Sequence, residues 1–268
     1  MWPFRKTPFL DEDTAAWHLD NFTWLMRHFG GGGEFHRSQL VLPKPGFFPI
    51  EGEKGHALAE RLFQSVKDYC GLSDWPVDLV ADNGPQSLVP EGSVIAPIRT
   101  SSPAGQFAMS EKGVQISYAP RLLDRPQDLI ATFAHELAHY LLAAAPEDPV
   151  CEPDEYEFLT DLTAVFLGFG VFLANSRFSQ EVLHLGAMQG VGWTRQGYLP
   201  ERDLVFATAI FLAVKRLDPS EAADSLDTHL RSQLLKALDQ LRDAPQFAEL
   251  ITLAARPAPE AQALQAQS

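Results

Sequence analysis

The sequence predicts an α+β protein that is mostly helical, in which a small antiparallel sheet is followed by one long helix and a helical C-terminal part. Three observations carry that reading. Apolar residues recur at helical spacing up to Gly71 and again after Asp124. Between those two points the pattern changes to short β-branched or aromatic runs separated by Gly, Pro, Asn and Asp. At 46% hydrophobic and 21% charged over 268 residues, the chain has the composition of a globular protein with a sizeable core.

Residues 13–29 read as an amphipathic helix, with Phe22, Leu25, Met26 and Phe29 on one face. The glycine run at 30–33 stops it and predicts a mobile turn. It has no phosphate-binding signature, because no strand precedes it and no GK[ST] follows. "SQLVLPKPGFFPI" then reads as an extended, proline-punctuated arm. A second helix covers 53–69, with Leu58, Leu62, Val66 and Tyr69 on one stripe and Gly71 as its stop. "WPVDLVA", "SVIAPIR", "GQFAMS" and "GVQISYA" read as strands. The last two flank "SEKG" as a hairpin, with Val114, Ile116 and Tyr118 on one face. Helices follow over 126–144 and 154–174. "DLVFATAIFLAVKRL" is apolar around most of its circumference and so predicts a buried helix. Residues 219–242 open on Asp218, Pro219 and Glu221, with Leu226, Leu230, Leu234 and Leu241 facing inward. The organisation is an N-terminal helix and arm over 1–52, a main domain over 53–255, and a disordered tail over 256–268.

The charge balance narrows the partners. A formal net charge of −14 argues against binding nucleic acid, whose backbone needs a basic face. The longest uncharged apolar stretch, "LTAVFLGFGVFLANS", is shorter than the roughly 18 residues that span a bilayer, so no membrane role is expected. The N-terminus lacks the apolar run of a signal peptide, and Cys70 and Cys151 have no metal-binding or disulfide-framework spacing. A cytoplasmic protein is the expectation.

The chemistry is in "ATFAHELAHYLL". Residues four apart on a helix share a face, so His135 and His139 project side by side and can bind one metal ion. Glu136 sits one step round, where it can take a proton from a water on that metal. This is the HExxH arrangement, which fits a zinc ion with the Glu as general base. A catalytic zinc also needs a third protein ligand. "EPDEYEFLTDLTAVFLGFG" offers Glu157, with Asp161 four residues on and able to accept a hydrogen bond from the far nitrogen of a ligating His. Ala164 and Gly168 continue that face, and Ala131, Ala134 and Ala138 line the first helix, so the two helices can approach closely. Glu155 and Asp161 are alternative third ligands. An acidic first turn at Glu157 is also favoured by the helix dipole alone. Arg195, Tyr198 and His184 are possible donors to a transition-state oxyanion.

HELAH followed by Glu157-Phe-Leu-Thr-Asp161 resembles the gluzincin zinc metallopeptidases, the thermolysin-like group whose pattern is HExxH then ExxxD on a later helix. The resemblance covers residues 124–168. It implies a zincin-like metallohydrolase domain, one zinc held by His135, His139 and Glu157, Glu136 as catalytic base and Asp161 as the orienting carboxylate. It also implies a peptide or protein substrate that pairs with an edge strand before the HExxH helix, and "GVQISYA" is the candidate strand. The chain as a whole resembles a family of bacterial proteins of unassigned function, which implies no activity. Two other functions fit the same residues: a metal-binding, catalytically silent metalloprotease-like binding or regulatory module, and a hydrolase of non-peptide amides.

Overall fold

The computed structural model describes residues 7–30, 34–82, 104–110, 113–149, 151–176 and 198–255. Its helices are α1 (Glu12–Phe29), α2 (Glu34–Arg37), α3 (His56–Cys70), α4 (Pro126–Ala143), α5 (Tyr156–Ala164, continuing through a π turn), α6 (Glu201–Lys215), α7 (Pro219–Ser225), α8 (Thr228–Arg242) and α9 (Pro245–Ala254). Its strands are β1 (Asp78–Ala81), β2 (Gly105–Ser110) and β3 (Gly113–Tyr118). The protein is mostly helical with a small sheet. "SVIAPIR", the glycine run at 31–33 and the tail from 256 lie outside the described residues.

The sheet is mixed, which corrects the antiparallel expectation. Its order is β1-β3-β2. β2 and β3 form the hairpin, antiparallel, with Phe107 opposite Ile116 and Ser110 opposite Gly113. β1 pairs with β3 in parallel, Leu79 opposite Ile116. β3 is therefore the central strand, hydrogen-bonded on both sides, and not an edge. Alternation along a strand sets which side chains face the core, and Val114, Ile116 and Tyr118 are indeed buried together. It does not say which strand lies beside which.

Tyr118 meets Phe133 of α4 edge-on at 5.8 Å, and Phe133 meets Phe63 of α3 at 5.1 Å, so sheet, α3 and α4 share one aromatic contact. α4 begins at Pro126, whose fixed φ suits a first helical position. α1 belongs to the same core. Leu19, Phe22, Leu25 and Met26 are buried, and His18 is bonded to Asp203 of α6 at 3.0 Å. α6 is buried almost throughout, as its composition predicts. The 219–242 region is two helices, because Leu226 takes an extended conformation between α7 and α8. α9 follows with Leu250 and Ala254 inward.

The helix spanning Pro153–Ser176 is the spine of the molecule. By length and composition it could cross a membrane, but 89% of its most apolar stretch is buried inside the protein. It is interrupted by the π turn at Val165–Phe169, where Gly168 has φ +104°. The Gly168 carbonyl accepts the Val41 N–H at 3.0 Å, so the arm after α2 is stitched into the bulge. This corrects the expected role of Gly168: it faces the arm, not α4. A methyl group there would sit 2.1 Å from the Gln39 carbonyl oxygen. Gly168→Ala is expected to lower stability by at least about 2 kcal/mol, since positive-φ strain of ~1–2 kcal/mol adds to overlap with a backbone atom. Denaturant unfolding measures it. An unchanged midpoint would mean that the arm does not dock at the bulge.

Candidate metal centre

α4 and α5 lie against each other, and the pairs read from the sequence face one another across their contact. His135 Nε2 is 3.2 Å from Glu157 Oε2, and His139 Nε2 is 3.5 Å from the same oxygen. The two Nε2 atoms are 3.2 Å apart. Among the described residues, these three side chains form the His/Cys/Asp/Glu group able to hold a metal ion. Asp161 Oδ1 lies 2.9 Å from His135 Nδ1, and its other oxygen accepts the Leu199 backbone N–H at 2.9 Å. One carboxylate thus holds the ring and the chain entering α6. Glu155 is elsewhere: it forms a capping box with Glu152 and accepts from Trp17 Nε1 at 3.1 Å, which anchors the start of α5 to α1.

The donor set fits a small cation. A tetrahedral ion with bonds of about 2.0–2.2 Å needs its donors roughly 3.3–3.6 Å apart, close to the three separations here. The bond to Asp161 commits the His135 Nδ1 proton outward, so Nε2 turns toward the cluster. Burial opposes a charged His135, but the hydrogen bonds from Asp161 and Glu157 outweigh it and hold the ring up at about 10. Burial pushes His139 down. Burial would raise Glu157, but the two imidazoles overcome it and hold it at about 2.

Glu136 is fully buried, and neither carboxylate oxygen makes a full hydrogen bond among the described residues. Burial pushes it up to about 8; His135 and the Phe107 backbone N–H partly offset this, and Glu157 raises it further. It lies under the first residue of β2. A Cβ on Gly105 would come within 2.9 Å of Glu136 Oε1 and 2.6 Å of Thr132 Cγ2, so the absence of a side chain at 105 lets strand and carboxylate meet. A buried carboxylate without a full hydrogen bond costs free energy unless something compensates it, and a neighbouring cation would do so.

Around the centre, Tyr198 places its ring 5.3 Å from that of His135. Phe107 of β2 and Tyr156 of α5 lie nearly parallel to the His139 ring. Tyr140 packs on Trp75 and Phe107. His184 and Arg195, the other donors read from the sequence, lie outside the described residues. Cys151 is a free thiol that burial, with Glu155 and Glu152 nearby, pushes up to about 11. The sequence reading missed Thr160, whose hydroxyl touches His139 Nδ1 at 3.2 Å. Its signal was available: it lies three residues after Glu157, on the helix face that carries the cluster. No family model, curated protein or solved structure matches the chain.

Proposed function

We propose that this protein is a zinc-dependent hydrolase of peptide bonds. The observation that carries the reading is the convergence of three donor atoms from two helices at separations of 3.2, 3.2 and 3.5 Å, beside a buried carboxylate that makes no full hydrogen bond among the described residues. His135, His139 and Glu157 would hold the ion, in agreement with the gluzincin pattern. A zinc ion so held supplies Lewis acidity toward a carbonyl and brings the pKa of an adjacent water to about 7. Glu136 would take the proton from the attacking water and hand it to the leaving amine, and burial has raised it toward the working pH that such a base requires. Asp161 would keep His135 oriented through the reaction. Tyr198 is placed on the His135 side of the centre, where its hydroxyl could steady a developing oxyanion.

An extended substrate needs a strand edge. β3 is paired on both sides and cannot offer one, so the role expected for "GVQISYA" passes to β2. Its outer edge carries no strand among the described residues, and Phe107 on it packs against His139.

The burial of the donors favours a second reading. Of the donors, His135 is 6% and His139 1% exposed, as in a closed metal site, which fits a silent binding or regulatory module. Metal analysis of protein purified without chelators tests the common part. Wild type is expected to carry one zinc per chain, and Glu157→Ala to lose it under the same dialysis. Wild type without metal would remove both readings. Hydrolysis of an unfolded protein by the zinc-loaded form separates them.

A further inference from the structure

The His139 ring lies between fixed neighbours: two nearly parallel aromatic rings and a hydroxyl at one nitrogen. Phe107 and Tyr156 lie at centroid distances of 6.1 and 5.9 Å, tilted from it by 19° and 21°. At the edge, Nδ1 meets Thr160 Oγ at 3.2 Å. Thr160 is fully buried, and its hydroxyl lies 2.9 Å from the Tyr156 carbonyl, an oxygen that can only accept, so the one hydroxyl proton belongs to that shorter contact. A hydroxyl has one proton to donate and two lone pairs with which to accept. Toward His139 it can therefore only accept, which requires the ring proton to be on Nδ1. The remaining nitrogen, Nε2, then carries its lone pair into the cluster.

We propose that Thr160 is a positioning residue of the metal centre, whose oxygen takes the Nδ1–H of His139 and so presents the Nε2 lone pair to the cation. The inference rests on the reading of the cluster as a metal site. The competing tautomer is a real alternative, because the Glu157 carboxylate lies 3.5 Å from Nε2 and attracts a proton to that side. A proton there would close the site to a metal. An acceptor at Nδ1 opposes this, and among the described residues the contact at that nitrogen is Thr160. The two histidines are thus set by different chemistry: a carboxylate behind His135 and a neutral hydroxyl behind His139. Partners that orient a ligating imidazole in this way typically change metal affinity by roughly 10- to 100-fold when removed.

The test compares wild type with Thr160→Val, which keeps the shape without the acceptor, and Thr160→Ser, which keeps the hydroxyl. Zinc affinity is measured by competition with a chelator, and the His139 tautomer by nitrogen NMR of the metal-free proteins. Wild type is expected to hold the proton on Nδ1. Thr160→Val is expected to bind zinc roughly 10- to 100-fold more weakly and to move the proton toward Nε2, while Thr160→Ser stays close to wild type in both. Equal zinc affinity in wild type and the valine variant overturns the proposal, as does a serine variant as weak as the valine one. A proton on Nε2 in metal-free wild type overturns it without any variant. Wild type that takes up no zinc overturns the metal reading instead, and the tautomer then decides the Thr160 contact on its own.

Discussion

Glu136→Gln is expected to remove hydrolytic activity and leave the metal in place. General-base catalysis by a positioned carboxylate contributes about 10²–10⁴-fold, so kcat should fall by that factor with KM little changed. Glutamine nearly matches glutamate in shape, so the packing of β2 over this position survives, including the close approach of Gly105. His135, His139 and Glu157 are untouched, so one zinc per chain should remain. The check is steady-state kinetics on an unfolded protein substrate beside metal stoichiometry of the same samples. Undiminished kcat in the variant would end the role of Glu136 as base. A variant that loses zinc together with activity would place Glu136 in the metal's own coordination. A silent module predicts a third pattern: zinc in both proteins and hydrolysis in neither.

The features behind this prediction were legible because they are local. A helix repeats every 3.6 residues, so His135 with His139 and Glu157 with Asp161 share faces whatever the rest of the chain does. Which helices meet is not local, but small residues at Ala131, Ala134 and Ala138 signalled that α4 could be approached closely. Nonlocal choices stayed hidden. The four-residue β1 pairs in parallel with a strand more than thirty positions later, and nothing in its alternation names that partner. The π turn in α5 coincides with the Val41 N–H donating to the Gly168 carbonyl, a tertiary bond with no periodic trace in either segment. The break between α7 and α8 and the start of α9 were better marked than the reading allowed. Asp227 precedes Thr228 at one, and Pro245 stands at the first position of the other. Thr160 was overlooked because a threonine inside a helix ordinarily bonds back to the preceding turn. It does so here, and its lone pairs still serve His139.

The metal-free protein is expected to lose stability as pH rises from about 6.5 to 8, and zinc is expected to reverse that slope. Glu136 is held up at about 8 in the fold against an ordinary value near 4.5. Between those values the native state binds a proton that the unfolded chain has released, so unfolding becomes easier with each step upward in pH. At about 1.4 kcal/mol per pH unit, full expression of that difference reaches roughly 3–5 kcal/mol. His135, held up at about 10, acts in the same direction: its contribution is complete below its ordinary value of 6.5 and is lost as pH rises toward 10. Glu157, held down at about 2, contributes fully above 4.5 and is lost only as pH falls toward 2, so it does not affect this window. His139, which burial pushes down, acts in the opposite direction below 6.5, where the unfolded chain takes up a proton that the fold resists, and adds no slope above it. Glu136→Gln removes the Glu136 share of the decline between 6.5 and 8 and leaves the share that belongs to His135. Zinc changes the sign because it binds the deprotonated donors of the folded state, gaining affinity as pH rises and stabilising the fold by mass action. Denaturant midpoints at pH 5, 6.5 and 8, with chelator and with excess zinc, measure all of this. A chelated wild type whose stability is flat or rising between pH 6.5 and 8 would mean that Glu136 is not held up in the fold and is not the poised carboxylate on which the hydrolase depends.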